Sequence, residues 1–181
     1  SYEEGLKYTI SGFETADKKL QTEIENNAEY NVKDNDIKEI LQEVSSLLES
    51  KTKDGVELNW ELDAYIKPYA CNADRMKQLF INLIDNAMKY TEQGSVTVEC
   101  YSDGNFLYFS VKDTGKGIEK EHLGRIFERF YRVDKSHSKQ SGGTGLGLSI
   151  VKHAVMYHHG KIIVESELNK GTTVSVTFYK K

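Results

Sequence analysis

At 181 residues, with a formal net charge of −4, 38% hydrophobic and 29% charged residues, the chain is long enough to bury a sizeable core and has the balance of one globular domain. No apolar run approaches the ~20 residues of a membrane-spanning helix, and no secretion signal precedes the first charged residues, a start (Ser-Tyr-Glu-Glu) expected of a truncated chain. Scattered Lys and Arg offer no basic face to nucleic acid; Cys71 and Cys100 stand apart and are expected as reduced thiols, and the five histidines lack metal-ligand spacing.

Residues 1–29 carry Leu6, Ile10, Phe13, Leu20 and Ile24 among many charges, compatible with an amphipathic helix, and are read as a segment apart from a main domain over 30–181. Tyr30-Asn31-Val32 is a candidate short strand. Asp34 to Asp36 offers N-caps for a helix running to about Lys53, with Ile37, Ile40, Leu41, Val44, Leu47 and Leu48 on one face, stopped by Asp54-Gly55. Val56 to Leu62 alternates apolar and polar residues as a half-buried strand does. Asp74 is the expected cap of the next helix, whose apolar stripe is Met76, Leu79, Phe80, Leu83, Ile84, Ala87 and Met88. On a neighbouring face Asn82, Asn86, Lys89 and Tyr90 can converge on one ligand, the asparagines supplying neutral oxygens for a hard cation.

Ser95 to Tyr101 and Phe106 to Lys112 alternate around an Asp103-Gly104 hairpin turn, and Lys161 to Glu165 and Thr172 to Phe178 around Lys170-Gly171. Helices and antiparallel strands in separate runs predict an α+β fold, one layer of helices on one sheet.

Three further segments carry chemistry. Asp113 ends a strand and precedes Gly115 and Gly117, placing a carboxylate that can accept from a purine amine beside exposed backbone donors; alone, Asp-Thr-Gly-Lys-Gly also suits an ordinary turn. Ile126 to Asp134 packs aromatic and basic residues together: Phe127 and Phe130 are expected to anchor a lid while Arg129 and Arg132 reach phosphate, with Lys135 to Gly143 as the hinged remainder. Gly142 to Gly147 places four glycines in six residues directly before an apolar helix, whose unpaired N-terminal N–H groups suit a triphosphate. Neither Gly-x-x-x-x-Gly-Lys-Ser/Thr nor Gly-x-Gly-x-x-Gly is present.

In this order the segments resemble the catalytic and ATP-binding domain of bacterial sensor histidine kinases, within the gyrase, Hsp90, histidine kinase and MutL superfamily. Asn82 to Tyr90 resembles the N box, Asp113 to Gly117 the G1 box, Phe127 to Tyr131 the F box, Gly143 to Leu148 the G2 box and Gly171-Thr172-Thr173 a short G3-like element, so that the likeness runs from about Val32 to Tyr179. It implies a Bergerat-type α/β sandwich, a mixed, mostly antiparallel sheet backed by helices, with an ATP lid. By the same likeness Asn86 with Asn82 would hold Mg²⁺, Lys89 would contact phosphate, Tyr90 would lie against ribose or base, and Asp113 would take the adenine amine. Gly115, Gly117 and Ile118 would shape that wall, and Phe127, Tyr131 and Thr173 would complete the nucleotide set. Arg129 or Arg132 would approach the γ-phosphate, and Gly143, Thr144, Gly145, Leu146, Gly147 and Leu148 would wrap the phosphates.

Such a domain phosphorylates a histidine on a separate dimerisation domain, which then serves a response regulator; the domain is cytoplasmic, on a protein attached to the cell membrane. No histidine precedes His122, and no His-Glu with a following Arg/Asn-x-Pro segment is found. The chain is therefore expected to begin after the acceptor histidine, residues 1–25 retaining part of the second dimerisation helix, and to bind ATP without phosphorylating itself. The alternatives are an ATPase clamp of the gyrase or Hsp90 kind, a small serine kinase acting on anti-sigma antagonists, and a nucleotide-binding module without catalysis. The F-box stretch speaks against the first two.

Overall fold

Asp36 starts the first described helix: its carboxylate accepts N–H bonds from Lys38 (2.9 Å) and Glu39 (3.2 Å), satisfying two donors that a helix start leaves open. The structure, a computed structural model, describes the backbone of residues 6–11 and residues 32–133 and 147–180. In chain order its elements are β1 (Leu6–Ser11), β2 (Lys33–Asn35), α1 (Ile37–Glu49), β3 (Val56–Leu62), β4 (Tyr69–Cys71), α2 (Ala73–Lys89), β5 (Gly94–Ser102), β6 (Phe106–Asp113), α3 (Lys120–Leu123), α4 (Gly147–Tyr157), β7 (Lys161–Glu167) and β8 (Gly171–Tyr179).

Six strands form one sheet in the order β1-β7-β8-β6-β5-β3, antiparallel except for the parallel β3–β5 pair, and β2 pairs with β4 in a second, two-stranded sheet. This is the expected mixed, mostly antiparallel α+β sheet backed by helices. Its inner face is built by alternate residues: Val96, Val98 and Cys100 of β5; Leu107, Phe109 and Val111 of β6; Val176 and Phe178 of β8; Ile162 and Val164 of β7. Against them lie the buried stripes of α2 (Met76, Leu79, Phe80, Leu83, Ile84, Ala87, Met88) and α1 (Ile37, Ile40, Leu41, Val44, Leu48), each full burial being worth about 1.5–3 kcal/mol. The Phe80 and Phe109 rings, 4.4 Å apart, join α2 to the middle of the sheet.

Several boundaries differ from those expected of the sequence. Leu6–Ser11, expected in a helix-compatible stretch, is a strand paired with residues 161–166: over this length Leu6, Tyr8 and Ile10 alternate with Lys7, Thr9 and Ser11, and the edge of β7 selects that local period. The remainder of 1–29 lies outside the described residues. The short strand falls at 33–35 rather than 30–32, and α1 ends at Glu49 rather than near Lys53. Asn72, not Asp74, caps α2; its side chain accepts from Arg75 N–H (3.1 Å), while its own N–H donates to Nε2 of His158 (3.0 Å), tying the start of α2 to the end of α4. At the Asp103 turn, Oδ1 accepts from Asn105 and Phe106 N–H (2.7 and 3.1 Å), the local bonding that made this hairpin legible.

Candidate nucleotide site

Leu107, Phe109 and Val111 of β6 point at the helices, and Asp113, two residues on, continues the same inward row. A carboxylate thus stands where the row meets the open end between sheet and helices, only 8% exposed. Its Oδ1 accepts from Gly115 N–H (2.9 Å) and from N–H of Thr172 (3.2 Å), its register partner on β8, which leaves Oδ2 for the space in front. Burial raises its pKa from the ordinary carboxylate value, with the Gly115 and Thr172 N–H bonds opposing.

That space is a cleft between sheet and helices, open to solvent. From α2 it takes Leu83, Asn86, Ala87 and Tyr90; from the sheet Val111, Asp113, Val164, Thr172 and Val174; from the loop after β6 Lys116, Gly117 and Ile118; from the segment after α3 Ile126, Phe127, Tyr131, Arg132 and Val133; and from α4 Leu148. The walls are mainly apolar with a few convergent polar groups, as small-molecule sites are.

The glycine loop is held at close range on two sides. A Cβ at Gly115 would overlap the Tyr90 carbonyl oxygen, and Gly117 combines a φ of +73° with a backbone that lies against the Glu167 carbonyl. Ser166, which belongs to none of the motifs legible in the sequence, fastens this loop: buried, it accepts from Ile118 N–H (2.8 Å), donates to the Gly171 carbonyl (3.1 Å) and meets the Thr172 hydroxyl (2.8 Å). Only its inward place in β7, in register with Thr172, could have signalled it.

Of the residues singled out in the sequence, Asn86, Tyr90, Asp113, Gly117, Ile118, Phe127, Tyr131, Arg132 and Leu148 line the cleft together. Asn82, Lys89, Gly115, Arg129, Gly147 and Thr173 do not, among the described residues. Successive helical residues turn by roughly 100°, so Leu83, Asn86, Ala87 and Tyr90 share an arc from which Asn82 and Lys89 are rotated away. Lys89 instead pairs with Asp85 at 3.2 Å. Asn82 faces α4, its Oδ1 3.9 Å from where a Cβ at Gly147 would stand, and its buried Nδ2 has no hydrogen-bond partner among the described residues.

Thr173 is opposite Lys112 on the outer face of the sheet; strand parity gives the inner position to Thr172. Phe127 is buried (5% exposed) but Phe130 is 70% exposed. The chain there turns, with φ +64° at Phe130, so helical i, i+3 spacing fails and the two arginines are not paired on one face. Gly143, Thr144, Gly145 and Leu146, with the expected hinge over 135–143, lie outside the described residues.

Known proteins are similar to this chain in sequence and in fold. Residues 71–181 match the family described as histidine kinase-, DNA gyrase B- and HSP90-like ATPase. The chain belongs to this family. Within the histidine kinase-, gyrase B- and HSP90-like ATPases it is similar to the sensor histidine kinase WalK of Bacillus subtilis, 41% identical over 123 residues, 66% of this chain and 20% of WalK. The chain spans about a fifth of the length of the curated relatives it matches. Among solved structures it is similar to the nucleotide-free catalytic domain of the histidine kinase ThkA (TM-score 0.71, 28% identity, 83% of this chain and 96% of that one). It is also similar to full-length ShkA in complex with AMPPNP (TM-score 0.72, 29% identity, 83% of this chain and 32% of that one). The fold is accordingly that of the histidine kinase ATPase domains. No helix among the described residues is long and apolar enough to cross a membrane.

Proposed function

We propose that this domain binds ATP with Mg²⁺ and passes the γ-phosphoryl group to a histidine on a separate dimerisation domain, the first step of two-component signalling to a response regulator. The observation that carries the reading is Asp113: a buried carboxylate oxygen held rigid by two backbone N–H groups, its partner oxygen open to accept from a purine amine, at the end of an otherwise apolar cleft. Relatives bearing the sensor histidine kinase name support the reaction class, and ShkA was solved with an ATP analogue.

The residues fit a magnesium ion in part. Asn86 presents its amide to the cleft and Asn82, one turn away, has an amide whose Nδ2 is buried without a partner among the described residues. Mg²⁺ prefers oxygen ligands, keeps several waters and takes much of its binding from substrate phosphates, so the single neutral amide of Asn86 suits an ion that arrives with a nucleotide, while Asn82, turned toward α4, would reach it only by a change of side-chain direction. Bound there, the ion would neutralise charge on the phosphates. The chain's own residues do the rest: Asp113 orients the base, the apolar walls exclude water, and Arg132 offers forked donors at the rim. Asp85, the acid beside Asn86, is paired with Lys89 and does not line the cleft, so α2 brings no general base to a water as a hydrolysing clamp would need. On this reading the domain lies in the cytoplasm, on a protein attached to the cell membrane.

Calorimetric titration with a non-hydrolysable ATP analogue, with and without Mg²⁺, tests it. Binding should depend on Mg²⁺, Asn86→Ala should weaken it by about 1.5–3 kcal/mol with the fold intact, and a histidine-bearing helical domain added in trans should be phosphorylated from ATP. A folded chain that binds no nucleotide in Mg²⁺ would overturn the proposal.

A further inference from the structure

We infer that His122 is a positioning residue of the nucleotide cleft: it holds the Tyr131 hydroxyl and thereby sets which hydrogen bond that phenol offers a ligand. The inference rests on the nucleotide-binding reading. Tyr131 lines the cleft, half-buried, and is gripped from outside by two side chains that do not line it. Nδ1 of His122 is hydrogen-bonded to the Tyr131 hydroxyl, with ring centroids 5.9 Å apart. The Arg125 guanidinium lies 4.4 Å from the centre of the Tyr131 ring and is itself held by Glu128, Nη2 to Oε2 3.1 Å.

The second nitrogen of His122 decides the direction of the bond. Nε2 faces the Glu121 carboxylate at 3.5 Å, which favours the tautomer with its proton on Nε2. Nδ1 is then the acceptor, and the single proton of the phenol is given to it. Toward the cleft Tyr131 presents only lone pairs, so it serves a hydroxyl or amine of the ligand and cannot donate to a phosphate oxygen. Clamped on its face by Arg125 and at its tip by His122, the side chain is also ordered before the ligand arrives, which removes part of the cost of binding. His122 touches no ligand in this account; it acts through Tyr131.

The test is titration of a non-hydrolysable ATP analogue with Mg²⁺ into the unsubstituted chain, His122→Ala, His122→Asn, Tyr131→Phe and the His122→Ala/Tyr131→Phe double variant, with circular dichroism checking that each is folded. His122→Ala and Tyr131→Phe should each weaken binding roughly three- to tenfold, the range open to one hydrogen bond of ordinary net strength. The double variant should bind no worse than either alone, because both remove the same interaction. His122→Asn, which keeps an acceptor near the Nδ1 position, should recover most of the loss. Independently of nucleotide, the ring ¹⁵N signals of His122 should shift in Tyr131→Phe. Binding by the unsubstituted chain with unchanged affinity in His122→Ala, losses that multiply in the double variant, or unmoved ¹⁵N signals would overturn the inference while leaving the nucleotide reading intact. A folded unsubstituted chain that binds nothing would instead overturn the nucleotide reading itself, and this inference with it.

Discussion

Asp113→Asn separates what the carboxylate does for a ligand from what it does for the fold. The substitution is isosteric: an asparagine Oδ1 can still accept from Gly115 and Thr172 N–H, 2.9 and 3.2 Å away, so the wall keeps its shape. Oδ2 becomes an NH₂ group, a donor where an adenine amine needs an acceptor. Loss of a hydrogen bond to a charged group is worth about 1.5–3 kcal/mol, roughly ten- to a hundredfold in affinity, and opposing two donors pushes the loss for ATP to the upper end. For GTP, whose ring carries an oxygen at the corresponding position, the loss should shrink or reverse. Stability should change by less than about 1 kcal/mol, because a carboxylate whose pKa is already raised by burial gives up its desolvation penalty along with its charge. Asp113→Ala differs on this point: it strands two N–H groups in a site that is 8% exposed, at about 1–3 kcal/mol for each. Calorimetric titration with ATP and GTP analogues and urea unfolding of both variants make the comparison. If Asp113→Asn bound the ATP analogue as tightly as the unsubstituted chain, or lost as much stability as Asp113→Ala, the reasoning from Oδ1 and Oδ2 would be refuted.

Ser166→Ala removes the acceptor of Ile118 N–H and the donor to the Gly171 carbonyl, and should cost about 1–3 kcal/mol of stability together with nucleotide affinity, read by urea unfolding and titration; a loss of stability with affinity unchanged would show that the glycine loop does not need this fastening. His158 gives a pH signature. Its Nε2 accepts from Asn72 N–H, its Nδ1 bonds the Ala154 carbonyl, and burial holds its pKa down at about 4 against 6.5 for an ordinary histidine. Between those values the unfolded chain binds a proton that the folded chain refuses, so this contribution is neutral above pH 6.5 and destabilises as pH falls toward 4, by about 3 kcal/mol in all. Urea midpoints across that window should fall less steeply in His158→Gln than in the unsubstituted chain; parallel profiles would remove His158 as the cause.

Local chemistry made much of this protein legible from its sequence. The seven-residue stripe of α2, the Asp103 turn, the alternation of β5, β6, β7 and β8, and Asp113 at a strand end before glycines are all consequences of periods of 3.6 and 2 and of what glycine and aspartate do to a backbone. So was the set of segments that approach one another, since Asn86, Asp113, Phe127 and Leu148 meet in one cleft. Parity could have chosen Thr172 over Thr173 as well, because Asp113 and Thr172 are register partners, but a register exists only once β6 and β8 have paired.

The rest was decided by pairing and packing between elements and by turns of the backbone that no periodicity announces. Leu6–Ser11 takes the strand period because the edge of β7 is there to pair with it. Asn82 and Lys89 stand outside the cleft because packing of the Met76-to-Met88 stripe fixes the rotation of α2 so that the arc of Leu83, Asn86 and Tyr90 lines it, and a helix cannot present its whole circumference to one ligand. Phe130 turns outward because the backbone bends there and ends the spacing that would have joined it to Phe127. Ser166 on the glycine loop and His122 on Tyr131 meet their partners through side-chain bonds placed by the tertiary turn of the chain. A sequence states which faces a segment can offer; only packing chooses which face meets the ligand and which side chain holds it there.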